Sequence, residues 1–143
     1  MRRFVELIFF LLLSAGLGLA LTRTRALAQE MEVIASGEIE YQNYCAVCHG
    51  VDAKGQGLMS KFLTVRPTDL TQLKKNNDGT FPFWRTYRVI DGREEVPGHG
   101  TREMPLWGDR FRTQAGGGDT GSRAQAAGRL IGLVFYLQHI QEQ

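Results

Sequence analysis

The chain has 143 residues, 22% of them charged, a formal net charge of +2 and two cysteines. That length suits a single domain. Both cysteines fall within four residues of each other, so a disulfide between them cannot staple distant segments.

Met1, Arg2 and Arg3 form a short basic start, and Leu7 through Leu21 is an uncharged, mostly apolar stretch of 15 residues. Ala26-Leu27-Ala28 follows as a small-residue A-x-A site. This order is that of a secretory signal peptide over 1–28, cleaved before Gln29. An uncleaved membrane anchor is the alternative, but the stretch is shorter than the ~18–20 residues of a span. Removing 1–28 takes away four arginines and one glutamate and leaves 13 basic and 14 acidic groups, a net charge of −1. No basic excess remains to attract nucleic acid. The remaining 115 residues can bury only a modest core, and a covalently held cofactor can take the place of a staple.

Residues 29–35 read as a flexible polar lead-in, and the folded domain is expected over 36–143. Ser36 is placed to cap a helix over 37–48. Gly37, Tyr41, Tyr44, Cys45 and Cys48 recur at three- and four-residue spacing on one face of it. His49-Gly50 ends that helix. Residues 50–67 read as loop. Thr68 is expected to cap a short helix over Asp69–Lys75, and Asn76-Asn77-Asp78-Gly79 is a strong turn signal. Thr80 then caps a helix with Pro82 in its first turn and Phe83, Tyr87 and Ile90 on one face. Asp91-Gly92 stops it. Residues 93–105 read as a long loop and Ala115–Gly121 as a glycine-rich linker. Ser122 is expected to cap a last helix from about Arg123 to Ile140, with an apolar stripe of Leu130, Leu133, Val134, Leu137 and Ile140. The fold class is therefore all-α, three to five short helices joined by long loops. Loops of that length count against a compact domain unless they wrap a large apolar cofactor.

Cys45-Ala46-Val47-Cys48-His49 supplies a reason for such a cofactor. C-x-x-C-H is the attachment signature of c-type haem. Two cysteines at this spacing on a helix end can each reach one vinyl group of a porphyrin. The next residue then lies under the ring centre as the proximal iron ligand, and its second ring nitrogen donates to a carbonyl that fixes the tautomer. Rival readings are a thioredoxin-type dithiol, which lacks its βαβ surroundings here, and half of a zinc site, for which no second cysteine pair exists. The secretory signal agrees with haem, which is attached to such motifs outside the cytoplasm.

Electron-carrying haem iron usually takes a sixth ligand from Met or His. The candidates are Met31, Met59, Met104, His99 and His139. Met31 lies in the lead-in, Met59 is only ten residues past His49, and His139 sits on an exposed helix face. Met104 leads because Pro105 forces it out of helical conformation and aims the side chain. His99, in the same loop, is the alternative.

With these residues in order, the chain resembles the class I c-type cytochromes over nearly all of 36–141. The likeness rests on Gly37 and Tyr41 ahead of Cys45, on Cys-Ala-Val-Cys-His-Gly, and on Val51-Asp52-Ala53-Lys54-Gly55-Gln56-Gly57 after it. It extends to Met104-Pro105-Leu106-Trp107-Gly108 as an axial-methionine segment, and to Leu133, Tyr136 and Leu137 in a last helix that crosses the first near Gly37 and Tyr41. Arg66-Pro67-Thr68-Asp69-Leu70-Thr71 and Phe81-Pro82-Phe83 resemble a bacterial subgroup. The resemblance implies a cytochrome c fold around one haem c, covalent through Cys45 and Cys48, with His49 and Met104 as metal ligands. The family commonly has a proline whose carbonyl accepts the histidine N–H, and here Leu58 stands at that position. Arg85, Arg88, Arg93, Arg102, Arg110 and Arg112 are available to the haem propionates. Trp84 and Trp107 are expected in the core.

The expected function is single-electron transfer in the periplasm without catalysis, probed by partners such as a quinol-oxidising complex, a terminal oxidase or a secreted dehydrogenase. The carrier is expected as a monomer with no nucleic-acid partner, and with membrane contact only through an uncleaved signal segment. The alternatives are a haem-bearing subunit of an oxidoreductase complex, a haem enzyme with an open iron position, and a dithiol oxidoreductase.

Overall fold

A computed structural model describes residues 2–94 and 104–142, with residues 2 and 4–21 as backbone. His99 and Arg102 lie outside the described residues. The chain divides into two compact units, 1–32 and 33–143. Helix α1 (Arg2–Tyr44) accounts for the described part of the first unit and supplies the first helix of the second. No helix among the described residues is long and apolar enough to cross a membrane.

The all-helical reading holds, with no strand among the described residues. Residues 29–35 differ from the expected lead-in: they are helical, and Ser36 lies inside α1 rather than at its start. The stretch carries no glycine or proline to stop a helix, and Ile34 is buried in the core.

In the second unit, Ile34, Gly37 and Tyr41 put one face of α1 into the core. The helix breaks at Cys45, and a one-turn helix α2 (Ala46–His49) follows. Three single-turn 3-10 helices, Ser60–Phe62, Leu70–Gln72 and Lys75–Asn77, punctuate the loop beyond it. Helix α3 (Phe83–Asp91) ends on Gly92 in the left-handed region, as the Asp91-Gly92 signal requires. Asp69, not Thr68, caps Leu70–Gln72 by accepting the Thr71 N–H at 2.9 Å. Pro82 itself precedes α3, and the Thr86 hydroxyl donates to its carbonyl at 3.0 Å.

Helix α4 (Trp107–Gln114) was not expected from the sequence. Helix α5 (Thr120–His139) starts within the glycine-rich linker, because Asp119 rather than Ser122 is its cap and accepts the Ser122 N–H at 2.7 Å. Leu130, Leu133, Val134 and Leu137 are buried as anticipated, and Ile140 is half-buried.

Two interactions lock α1, α4 and α5 together within the second unit. The first is a backbone approach: a Cβ on Gly37 would lie 2.0 Å from the Gly132 carbonyl oxygen. Any side chain there forces α1 and α5 apart. The second is Arg129 on α5. Its guanidinium donates to both carboxylate oxygens of Glu40 at 2.6 and 2.7 Å and to Gln114 at 2.8 Å. It also lies 3.8 Å over the Phe111 ring. Arg129 and Glu40 are largely shielded from water, so this paired fork resists screening by salt. Phe111 and Trp107 in turn stack against Tyr44 at 5.7 and 5.3 Å.

Gly37→Ala should destabilise the protein by about 1–3 kcal/mol, the usual cost of overpacking. Gly128→Ala, on the same α5 but with nothing within 4 Å of the added Cβ, should stabilise by about 0.5–1 kcal/mol through helix propensity. Thermal or urea unfolding of the two variants checks the opposite signs.

Candidate functional site

The site is built around the break at Cys45. Backbone amides of the following loop turn back and close the C-terminal end of α2. Met59 donates to the Val47 carbonyl at 2.9 Å, Gly57 to Cys48 at 3.0 Å and Gly55 to His49 at 2.7 Å. These bonds satisfy carbonyls that a helix end leaves without intrahelical partners. They also bend the loop so that a later segment reaches the same place. Leu70 N–H donates to the Ala53 carbonyl at 2.8 Å, and a Cβ on Gly55 would lie 2.2 Å from the Pro67 carbonyl oxygen. Gly55 has φ of 77° and no side chain, so 67–68 can lie against the loop.

That approach positions His49. Its Nδ1 lies 3.2 Å from the Thr68 carbonyl oxygen. A carbonyl can only accept, so Nδ1 carries a proton, and in the neutral ring the lone pair is on Nε2. The partner is therefore Thr68, not Leu58, whose side chain is exposed. The buried imidazole is held by a backbone bond of the kind that orients metal-ligating histidines. Tyr41 fixes the turn from the other side, its hydroxyl donating to the Gly50 carbonyl at 2.6 Å.

A cavity of about 270 Å³ opens here, walled by Tyr41, Cys45, His49, Leu70, Leu73, Val89, Ile90, Met104, Leu133 and Leu137, with Thr68, Asn76, Pro82, Arg85 and Thr86 completing it. A smaller cleft of about 50 Å³ is bordered by Cys48, Leu63, Val65, Pro67, Pro105 and Trp107 among others. Cys45, His49 and Met104 border both. The structure thus gathers all four of the sequence-derived site residues, Cys45, Cys48, His49 and Met104, around one pair of spaces. The other described candidates do not join them: Met31, Met59 and His139 are exposed and border neither cavity.

Of the two tryptophans, Trp107 is buried against the smaller cleft, but Trp84 is 63% exposed. It stacks edge-on against Phe83 at 5.3 Å on the outside of α3. The arginines also sort themselves. Arg85 borders the large cavity. Arg88 shares Glu94 with Arg85, each through Nε at 2.9 Å. Arg93 pairs with Asp91, Arg112 with Asp109, and Arg110 stacks over Trp107 at 5.3 Å.

A mostly apolar cavity lined by a carbonyl-held imidazole, a thioether and the Cys45 thiol, with the Cys48 thiol on the adjoining cleft, offers the residue types that could hold a flat, hydrophobic iron macrocycle. It does not suit a bare metal ion: no group of three or more His, Cys, Asp or Glu side chains among the described residues could hold one. Burial, helped by the charge of Glu40, pushes the Cys45 thiol up to about 12, which makes that sulfur a poor thiolate nucleophile at neutral pH. Sequence reasoning missed the Thr68 carbonyl and the place of Arg85. Pro67, which favours extended backbone, was the available hint for the first. No family model, curated protein or solved structure matches the chain.

Burial above all, then the charges of Cys45, Tyr136 and Asp52, raises the Tyr41 hydroxyl well above its ordinary value of 10.0. The folded protein then holds this proton at pH values where the unfolded chain has lost it. Its stabilising effect is complete below about pH 10 and is lost as pH rises beyond that. Urea unfolding should show stability declining above about pH 10. Tyr41→Phe should cost about 1 kcal/mol at neutral pH and make that alkaline decline shallower.

Proposed function

We propose that the chain is a c-type cytochrome with a cytochrome c fold, carrying one haem bonded through Cys45 and Cys48. Its role on this reading is to pass single electrons between redox partners in the periplasm. One observation carries the reading: His49, held at Nδ1 by the Thr68 carbonyl, borders the same apolar cavity as Cys45 and Met104. The likeness of Cys45-Ala46-Val47-Cys48-His49 and Met104-Pro105 to the class I cytochrome motifs supports it.

The bound haem iron would supply a one-electron couple. The chain's residues determine how that couple behaves. Cys45 and Cys48 would hold the group covalently, each through a thioether formed by addition of its S–H across a vinyl C=C, which needs no external electron. His49 would offer Nε2 as an iron ligand, its plane and basicity set by the bond to Thr68. Met104 would offer a thioether, which favours a higher potential than a second histidine would. Leu70, Leu73, Ile90, Leu133 and Leu137 would help keep water from the group. Two ligands from the protein would leave no open position for a substrate, which favours a carrier over an enzyme. The N-terminal 28 residues serve export on this reading and are removed before Gln29. The partners are then a quinol-oxidising complex, a terminal oxidase or a secreted dehydrogenase.

Export through a host that attaches haem to C-x-x-C-H proteins provides the test. Haem should migrate with the chain on a denaturing gel and be absent from the Cys45→Ala, Cys48→Ala double variant. A colourless wild type with two titratable thiols would overturn the proposal.

A further inference from the structure

The lining of the large cavity is mostly apolar, and Arg85, at the start of α3, and Asn76, in the turn Lys75–Asn77, are among its polar members. Among the described residues lining either cavity, Arg85 is the one arginine or lysine. Arg88 shares the same carboxylate but does not border the cavity. Among the described residues, two guanidinium groups face the single carboxylate of Glu94 and leave one positive charge over. Arg85 engages Glu94 through Nε, and a guanidinium has further N–H donors in a fork that matches a second carboxylate.

We propose that Arg85 receives a carboxylate side arm of the haem and so fixes which edge of the ring lies toward α3. This rests on the haem reading above. A carboxylate in a mostly apolar cavity is costly without a cation beside it, and among the described lining residues Arg85 is the guanidinium available to it. Glu94 holds that guanidinium at the rim and ties it to Arg88. Removing the Arg85 charge weakens the hold on the carboxylate's ionised form, so its proton affinity rises. Near the iron, loss of a positive charge also favours the oxidised state. The other titratable groups on the cavity wall are Tyr41, Cys45 and His49. None of them carries a positive charge in the proposed bound state.

The test compares haem-loaded wild type with Arg85→Gln, Arg85→Lys and Arg88→Gln. Infrared difference spectra against pH follow protonation of the haem carboxylates, and redox titration follows the midpoint potential. Arg85→Gln should raise the proton affinity of one carboxylate roughly 10- to 1,000-fold, the range for losing a neighbouring opposite charge, and lower the potential. Arg85→Lys should restore most of the change, and Arg88→Gln should leave both readouts within about threefold of wild type, as expected for a screened surface charge. An Arg85→Gln protein that titrates like wild type, or an Arg88→Gln protein that shifts as far, overturns this inference while the haem reading stands. A wild type that binds no haem overturns both.

Discussion

The bond from His49 Nδ1 to the Thr68 carbonyl is the constraint on which the site depends. Nineteen residues separate the partners, so the loop between them must fold back in a single way. The amides of Gly55, Gly57 and Met59 close the end of α2. The Ala53 carbonyl takes the Leu70 amide. The bare backbone of Gly55 lets Pro67 approach. Each of these bonds satisfies a polar backbone group that would otherwise be costly to bury, and together they bring Thr68 to the imidazole. Thr68 and Leu70, at the far end of this long loop, are in this way part of the cavity wall.

The helices hold the opposite wall. Gly37 against Gly132 fixes how α1 crosses α5, and Tyr41 and Cys45 line the same cavity as Leu133 and Leu137 of α5. Arg129 joins three helices through Glu40, Gln114 and Phe111. In a second unit of this size an ion pair so well shielded resembles a polar staple. Breaking one partner of such a pair costs more than forming it gains, because a buried charge is left behind.

Much of this was legible in the sequence, and the misses have physical causes. The apolar stripe of α5 and the stop at Asp91-Gly92 followed from spacing and turn chemistry, whereas Met104 came from the ligand types open to a c-type haem, and it borders the same cavity as Cys45 and His49. Ser36, Thr68 and Ser122 were each plausible caps. At the last two, a neighbouring aspartate, whose ionised oxygen is the better acceptor, took the role. At Ser36 no break was needed, because 29–35 contains no helix breaker and Ile34 has a core to enter. Helix α4 escaped notice because its buried face is only Trp107, Gly108 and Phe111, too short a pattern for periodicity to register. Trp84 was assigned to the core by residue type, yet α3 turns Thr86 and Ile90 inward instead. The Thr68 carbonyl carries no side-chain signal, so only the folded backbone reveals it.

The proposed ligation of one iron by His49 and Met104 is tested most directly by the oxidised visible spectrum. The haem-loaded wild type should show a weak sulfur-to-iron charge-transfer band that disappears in Met104→Ala, with carbon monoxide binding the reduced variant but not the reduced wild type. A band that persists in Met104→Ala, or a wild type that takes up carbon monoxide as readily as the variant, would contradict it.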